Sequence, residues 1–391
     1  MLNRRILRVK AMQALYSYYT TRESLKDVIR EQLEKKFYPD PAKDDFTLAD
    51  EFTVRRKLAS RLYLQHLQSR EVQNSEEADD EIISEVNLAI AKYHTELQKE
   101  VRAIRNLMTG DVEGINRLYL KLLSLPMEFA HIEKMDKDKR DKAYIKKNTH
   151  WNWHLINNPV INDLTKFEPL TKALINEKIS WAEELDQLKT WYKEILRKDE
   201  EFQTYQSNLE PGREDHTQIL LHLFKKIIFK NESVNEYLSE SDLHWTENRN
   251  ILKSLVVKTF QDYEPDLDPP FELKEVSKNG TDDLEFFQVL FDETLKKDKE
   301  LDDLIEKKVQ NWDISRVALT DRIILKMAIT EMTNFHSIPV KVTINEFIEV
   351  SKNYSTPKSK QFVNGILDVL ANELTSDGVI RKSGRGLIDN K

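Results

Sequence analysis

The chain has 391 residues, with 60 Lys or Arg against 68 Asp or Glu, and its formal charge is -8. Hydrophobic residues make up 39% and charged residues 33%, which is typical of a folded, helix-rich protein of about two domains rather than a disordered one. The absence of cysteine excludes disulfides, thiolate nucleophiles and cysteine-bearing zinc sites, and the sequence has no glycine-rich phosphate loop among its eight glycines.

The first predicted element is a helix within "NRRILRVKAMQALYSYY" (3–19). Its apolar residues recur with helical spacing at Leu7, Ala11, Ala14, Leu15 and Tyr18. Its first turns carry four basic residues and no acidic one: Arg4, Arg5, Arg8 and Lys10. Cations at a helix N-terminus oppose the macrodipole, so their presence here favours a functional explanation for them. Guanidinium groups pair with phosphates and stack on bases. On pattern alone, RNA binding and an ordinary solvated helix start explain this segment equally well.

Residues 31–210 are rich in charge and poor in recognisable motifs. The only histidines with helical metal-ligand spacing are His150 and His154 in "HWNWHL". No third ligand is evident, so partly buried structural histidines are the better interpretation. We expect no metal and no cofactor.

The sequence contains one internal repeat: residues 219–260 align without gaps with residues 286–327. The offset is 67 residues (286 minus 219). Both copies carry the same residue type or a similar apolar one at six positions: Leu223/Leu290, Phe224/Phe291, Trp245/Trp312, Arg249/Arg316, Leu252/Leu319 and Val257/Ile324. A duplicated helix–loop–helix unit is the favoured interpretation. Two similar amphipathic hairpins remain the alternative.

The C-terminal part reads as three further helices. The segment around Ile324 is apolar nearly all round, which predicts a central buried helix. Thr343 followed by Glu346 predicts a capping box that starts a helix just after Pro339. A stripe that begins at Val363 predicts another helix, and we expect a flexible tail from 376 to 391. Strand-like alternation is hardly present, so the predicted fold class is all-α.

The segment "STPKSKQFVNG" is the second candidate binding site. Lys358 and Phe362 share a helix side at i, i+4, and a helix N-terminus favours phosphate. Gly365 lies one turn further on, where glycine costs about 1 kcal/mol relative to alanine. Close approach of a ligand or of another helix would explain this glycine, and on pattern alone helix packing is favoured.

No arrangement of residues indicates catalysis: there is no nucleophile elbow, no ordered Ser/His/Asp set and no paired-carboxylate motif. The apolar stretches are interrupted by charges every few residues, and no apolar run follows the basic start. We therefore predict a cytoplasmic binding protein, neither an enzyme nor a membrane protein.

Three segments together resemble the NusB family of transcription antitermination factors: "RR..R.KAMQALY", "WDISRVALTDRIILKMAITEM" and "IPVKVTINEFIEVSKNYSTPKSKQFVNGILDVLANEL". The resemblance covers 1–19 and about 284–374, with some 250 residues between them. It implies an all-helical fold of two small bundles. It also implies binding of boxA-type leader RNA together with the small-subunit ribosomal protein NusE, and indirect joining to RNA polymerase and other Nus factors, chiefly on ribosomal RNA operons.

The resemblance also assigns residues. The family's arginine-rich start corresponds to Arg4, Arg5, Arg8 and Lys10, although one basic position of the family is Ile6 here. Tyr16 and Asp321 would face NusE. A second RNA contact would involve Lys358, Lys360 and Phe362.

The implied domains are a discontinuous NusB-like module (1–30 and 281–375), a helical insertion (31–280) that contains the repeat copy 219–260, and the tail 376–391. We expect the insertion to pack on the same body. One alternative is a non-catalytic scaffold with weak RNA binding, which the negative net charge supports. RNA 5-methylcytosine methyltransferases carry a NusB-like domain too, but they attack the base with a cysteine thiolate, and this chain has no cysteine.

Overall fold

The computed structural model describes residues 4–39, 49–69, 72, 77–142, 151–277, 280–309 and 317–390. These ranges contain fifteen α-helices and no β-strand, which confirms the prediction of an all-α fold. The first seven helices are α1 (Arg4–Lys36), α2 (Ala49–His66), α3 (Asp80–Lys142), α4 (Pro159–Lys166), α5 (Glu168–Asn176), α6 (Leu185–Glu194) and α7 (Glu200–Ser207). The remaining eight are α8 (Arg213–His222), α9 (Glu232–Ser241), α10 (Trp245–Gln261), α11 (Gly280–Lys296), α12 (Asp298–Glu306), α13 (Leu319–Asn334), α14 (Val340–Tyr354) and α15 (Ser359–Ser376).

The helices form two compact units. The flanking unit comprises Leu7–Thr109 and Leu284–Lys391, and the middle unit comprises Gly110–Asp283 with Met1–Ile6. Helix α3 begins in the flanking unit and ends in the middle unit. The predicted insertion of 31–280 therefore contributes residues to both units.

One core of the flanking unit lies where α1, α2 and α3 meet. Each helix supplies buried apolar residues one turn apart, at i and i+4, so that one stripe of each helix faces the others. These pairs are Ile29 and Leu33, Ala59 and Tyr63, and Val86 and Ile90. Residues of the predicted insertion thus build a hydrophobic core together with the first helix of the chain.

Helix α13 is the buried helix that the sequence predicts. Its residues from Ile323 to Met332 are almost completely inaccessible to solvent, and α13, α14 and α15 pack against one another. Because α13 has no exposed side over this stretch, its polar residues Lys326 and Glu331 must find partners inside the protein.

The predicted helix start just after Pro339 is confirmed, but the predicted capping box at Thr343 and Glu346 is wrong. Helix α14 begins three residues earlier, at Val340, directly after Pro339. Thr343 is therefore buried inside the helix, and its hydroxyl donates a hydrogen bond to Glu331 Oε1 at 2.7 Å. A threonine needs an exposed helix end to act as a cap, and tertiary packing has given this residue a different acceptor.

The helices of the middle unit follow the predicted repeat in part. Helix α8 and the π-helical segment that continues it span 213–228, and adding 67 gives 280–295, close to α11 (280–296). Adding 67 to α9 (232–241) gives 299–308, close to α12 (298–306). Trp312 and Arg316, which the alignment pairs with Trp245 and Arg249, lie outside the described residues. The duplication itself remains a prediction.

The tail follows α15 along the corner between α13 and α14. Ile380 is buried, the Ser383 amide donates to the His336 carbonyl at 3.0 Å, and Lys382 Nζ donates to the Phe335 carbonyl at 3.0 Å. The structure thus gives residues 380–383 specific contacts where the sequence suggests a free end.

Candidate nucleic-acid and protein interface

The four basic residues in the first turns of α1 fall into two classes. Arg4 and Arg5 are exposed, whereas Arg8 and Lys10 retain 3% and 2% of their accessible surface. Exposed guanidinium groups can meet a phosphate directly. Arg8 and Lys10 lie within the protein, so a phosphate contact by either would require local opening.

Arg8 joins three helices from inside the flanking unit. Its Nε and Nη2 donate to the two carboxylate oxygens of Glu331, both at 2.7 Å, which is the paired geometry of a strong arginine–carboxylate interaction. Glu346 approaches Arg8 Nη1 at 3.6 Å, and the guanidinium lies 5.5 Å and 5.8 Å from the ring centres of Phe286 and Phe347. Arg8 thus links α1 to α13 and α14, and it also contacts α11.

A second charged network was not found by sequence reasoning. Lys326 is buried and pairs with Asp298 and with Asp302, the latter at 2.7 Å. Asp298 also accepts hydrogen bonds from the Tyr19 hydroxyl and from Arg22 Nη1, the latter at 2.9 Å. Burial alone would raise the pKa of Asp298, but Lys326 and its other donors outweigh burial and lower that pKa. These groups join α1, α12 and α13 as a structural network.

The two residues expected to meet a protein partner differ in exposure. Tyr16 retains 46% of its accessible surface on α1. Asp321 retains 6%, and its Oδ2 accepts the Ser359 hydroxyl at 2.6 Å, linking α13 to the start of α15. Its Oδ1 is buried without a hydrogen-bond partner among the described residues. Tyr16 is therefore open to a partner, while Asp321 presents little surface.

The start of α15 exposes the second predicted basic site. Lys358 and Lys360 are exposed on either side of Ser359, where the helix begins, and Phe362 is half-buried. Gly365 is exposed, and no described atom lies within 4 Å of where its Cβ would be. The expected close helix packing at this glycine is thus wrong within the described part of the chain, and the backbone here is open to an approaching molecule.

Two structural findings bear on metals and membranes. His154 Nε2 hydrogen-bonds the Asn208 carbonyl at 2.7 Å, while His150 lies outside the described residues. In the described ranges, no three His, Asp or Glu side chains are grouped as metal ligands. No helix in those ranges has both the length and the apolar character needed to cross a bilayer.

The described helices expose basic residues at the starts of α1 and α15. Residues 253–372 match the model of the NusB family, which confirms the resemblance over 284–372 and extends it back into α10. The family match does not extend to the first helix or to the rest of the middle unit.

Three curated relatives carry the name "Transcription antitermination protein NusB". The protein from Salinibacter ruber is 48% identical over 104 residues, which are 27% of this chain and 65% of the relative. The protein from Chloroherpeton thalassium is 50% identical over 91 residues, 23% of this chain and 43% of the relative. The protein from Koribacter versatilis is 42% identical over 88 residues, 22% of this chain and 60% of the relative.

The aligned segments thus span between 43% and 65% of these relatives' lengths. None of the three names describes a catalysed reaction. No solved structure matches the chain.

Proposed function

We propose that this protein is a transcription antitermination factor that binds boxA-type single-stranded RNA together with the ribosomal protein NusE. The observation that carries the proposal is the NusB-family match over 253–372, in which Lys358 and Lys360 stand exposed at the start of a helix. Through NusE the protein would join RNA polymerase and other Nus factors, chiefly on ribosomal RNA operons.

The RNA contacts in this proposal come from two segments. Arg4 and Arg5 neutralise phosphates at the start of α1. Lys358 and Lys360 do the same at the start of α15, where helix amides and the dipole also favour an anion, and Phe362 offers a partly exposed ring to a base.

In the proposed RNA site, Arg8 and Lys10 position α1 and do not contact the RNA themselves. Arg8 holds α1 in place through its ion pair with Glu331, one turn along the helix from Arg5. Lys10 is buried to a similar extent. Both cations act on RNA through the position of the helix.

The proposed NusE contact centres on Tyr16. An exposed aromatic ring on a helix is a frequent interface hot spot, so Tyr16→Ala should weaken NusE binding by about 2 kcal/mol. Asp321 contributes mainly by holding the start of α15 through Ser359. Asp321→Asn keeps an oxygen that can accept from Ser359, and it should weaken the NusE interaction less than Tyr16→Ala does.

A second candidate function is a non-catalytic scaffold with weak RNA binding. The observation that favours it is the formal charge of -8, because a net negative field repels RNA.

Crosslinking of the full chain to single-stranded boxA-type RNA, read by mass spectrometry, separates the two candidates. The antitermination proposal expects crosslinked peptides around 4–5 and 358–362, and fewer of them in a variant with Arg4, Arg5, Lys358 and Lys360 changed to alanine. Crosslinks confined to 110–252, or none while NusE still binds, would favour the scaffold.

A further inference from the structure

The middle unit contains a cleft of about 580 Å³, a size typical of ligand sites. One wall is a face of α3, another is the loop at 178–184 after α5, and the third is the corner where α9 meets α10. The family match begins at residue 253, so all three walls lie outside it.

The α3 wall includes two glycines, of which Gly110 is exposed and Gly114 is half-buried. Gly110 and Gly114 lie one turn apart on the same face, and no described atom lies within 4 Å of either added Cβ. Each glycine inside a helix costs about 1 kcal/mol relative to alanine. No neighbouring helix fills the space that they leave, so helix packing does not account for them.

The wall at the corner of α9 and α10 holds two polar atoms that lack hydrogen-bond partners among the described residues. Asn248 retains 2% of its accessible surface, and its side-chain oxygen accepts no hydrogen bond from the described residues. Asp242 Oδ1 accepts the His244 amide at 2.9 Å, but Oδ2 is buried and unpaired in the same ranges. Unmet acceptors in a protein wall require a donor from water or from a ligand.

The cleft is lined by both acidic and basic side chains. Asp242 and Asp111, the latter 3.2 Å from His244, are half-buried. The exposed cations are Lys178 and Arg117, and Arg117 Nη2 donates to the Glu177 carbonyl at 3.4 Å. Lys121 is already engaged, because its Nζ lies 2.6 Å from Glu184. The cleft thus combines two acceptor atoms that lack a donor in the described residues with two exposed cations.

We propose that this cleft binds a polypeptide segment of a partner protein through one cationic side chain, arginine or lysine. The cation donates to Asp242 Oδ2 and Asn248 Oδ1, which have almost no accessible surface, so this wall opens locally as the cation enters. The segment's backbone lies along α3 at Gly110 and Gly114. Arg117 and Lys178 donate to carbonyl groups of the same segment. The cleft would give the protein a partner surface separate from its family domain.

Fluorescence anisotropy of a dye-labelled Gly-Gly-Arg-Gly-Gly peptide, titrated with the full chain, tests this assignment. We expect saturable binding that a Gly-Gly-Glu-Gly-Gly peptide does not show. Asp242→Asn should weaken the arginine peptide about tenfold, because it removes a charge-assisted hydrogen bond but keeps Oδ1 as an acceptor for the His244 amide.

Gly114→Leu tests the cleft itself by filling it, and leucine favours the helix more than glycine does. Its matched control is Gly365→Leu, another open helix glycine outside the cleft. Loss of peptide binding in the Gly114 variant alone, with unchanged thermal unfolding, supports the proposal. Equal binding of the glutamate peptide, no binding of the arginine peptide at millimolar concentration, or full binding by Gly114→Leu overturns it.

Discussion

The ion pair between Arg8 and Glu331 is a buried charge pair whose two members depend on each other. Removing one partner leaves the other charge in the core without compensation, which is far more costly than removing both. Thr343 adds a further hydrogen bond to Glu331, so the carboxylate has three donors within 2.7 Å. This arrangement explains how the buried part of helix α13 can contain an ionised acidic residue.

Arg8→Met should therefore lower the free energy of unfolding of the flanking unit by about 3–5 kcal/mol. Glu331→Met should cost a similar amount, while the double variant should recover much of the loss. Urea unfolding followed by circular dichroism measures all three. The exposed Arg5→Met is the control, with an expected change within about 0.5 kcal/mol. Additive losses in the double variant would contradict the coupling.

Glu133 is a second buried carboxylate, in the core of the middle unit. Its oxygens accept from the Tyr192 hydroxyl at 3.0 Å, the Gln206 amide at 2.7 Å and the Ile156 backbone amide at 3.3 Å. Burial nevertheless raises the pKa of Glu133 to about 7 from its usual 4.5, although these donors lower it. Ionisation of this residue therefore falls near neutral pH.

The raised pKa of Glu133 makes the middle unit less stable at higher pH. The stabilising contribution of the neutral carboxyl is complete below pH 4.5 and is lost as pH rises through about 7. Between pH 5 and pH 8, this group alone should reduce the free energy of unfolding by about 2–3 kcal/mol.

The Glu133→Gln variant has no ionisable group at this position, so its free energy of unfolding should not show this decline with rising pH. Its overall stability will differ from that of the parent as well. Parallel melts of parent and variant across pH isolate the effect, because His216 and the other titrating groups are common to both. Identical pH profiles for the two proteins would show that Glu133 is not responsible.

At this level the sequence predicts the basic segment at the start of α1 but not the burial of two of its four cations. Arg8 precedes the buried Leu15 and Tyr19 by seven and eleven residues, which places it on the apolar side of α1. That spacing was a signal for burial. The partner, Glu331, lies 323 positions away, and a pairing at that separation is visible only in the fold.

The tail is an element whose position depends on one glycine. A Cβ on Gly386 would lie 2.1 Å from the His336 carbonyl oxygen, which no backbone can accommodate without moving. The same carbonyl accepts the Ser383 amide. Gly386 thus permits the close approach that lets the tail follow the corner between α13 and α14.

Gly386→Ala should release the tail. We expect faster trypsin cleavage after Arg381 and Lys382, together with faster amide exchange at Ser383. Gly365→Ala is the matched control, since its site is open and alanine should stabilise α15 by about 1 kcal/mol. Equal cleavage of both variants and the parent would mean that the tail is not held by this contact.

The helices themselves were largely predictable, because the apolar spacing in α1, α13 and α15 is regular and the turns between them are marked by proline or polar residues. The residues that cap the helices were less predictable than the helix starts. Pro339 already sets the start of α14, so the Thr343 pattern three residues later carried no information about the cap.

The division of the whole chain was harder to infer. The sequence suggests one insertion between two family segments, whereas the units change within α3 between Thr109 and Gly110. A helix that continues through a boundary keeps its 3.6-residue pattern on both sides, so periodicity alone does not reveal the change.

Because α1, α2 and α3 share one core, we predict that residues 49–109 unfold together with α11–α15, the helices of the flanking unit that the family match covers. Tyr63→Ala removes a fully buried ring and should destabilise the flanking unit by about 3–5 kcal/mol. The chain has no cysteine, so a single dye-labelled cysteine at exposed Val54 or exposed Val369 reports α2 or α15 separately. The urea concentration at the unfolding midpoint should fall at both reporters together. A fall at Val54 alone would show that α2 and the first part of α3 form a separate folding unit.

The central claim is that Arg4 and Arg5 meet RNA while Arg8 acts from within the fold. The salt dependence of RNA binding tests it most directly, because each phosphate contact on a single strand contributes about 0.7 to the log–log slope. Changing Arg4 and Arg5 to alanine should flatten the slope by about 1.4, whereas Arg8→Met combined with Glu331→Met should leave it unchanged. An unchanged slope in the first variant, or a flattened slope in the second, would contradict this account.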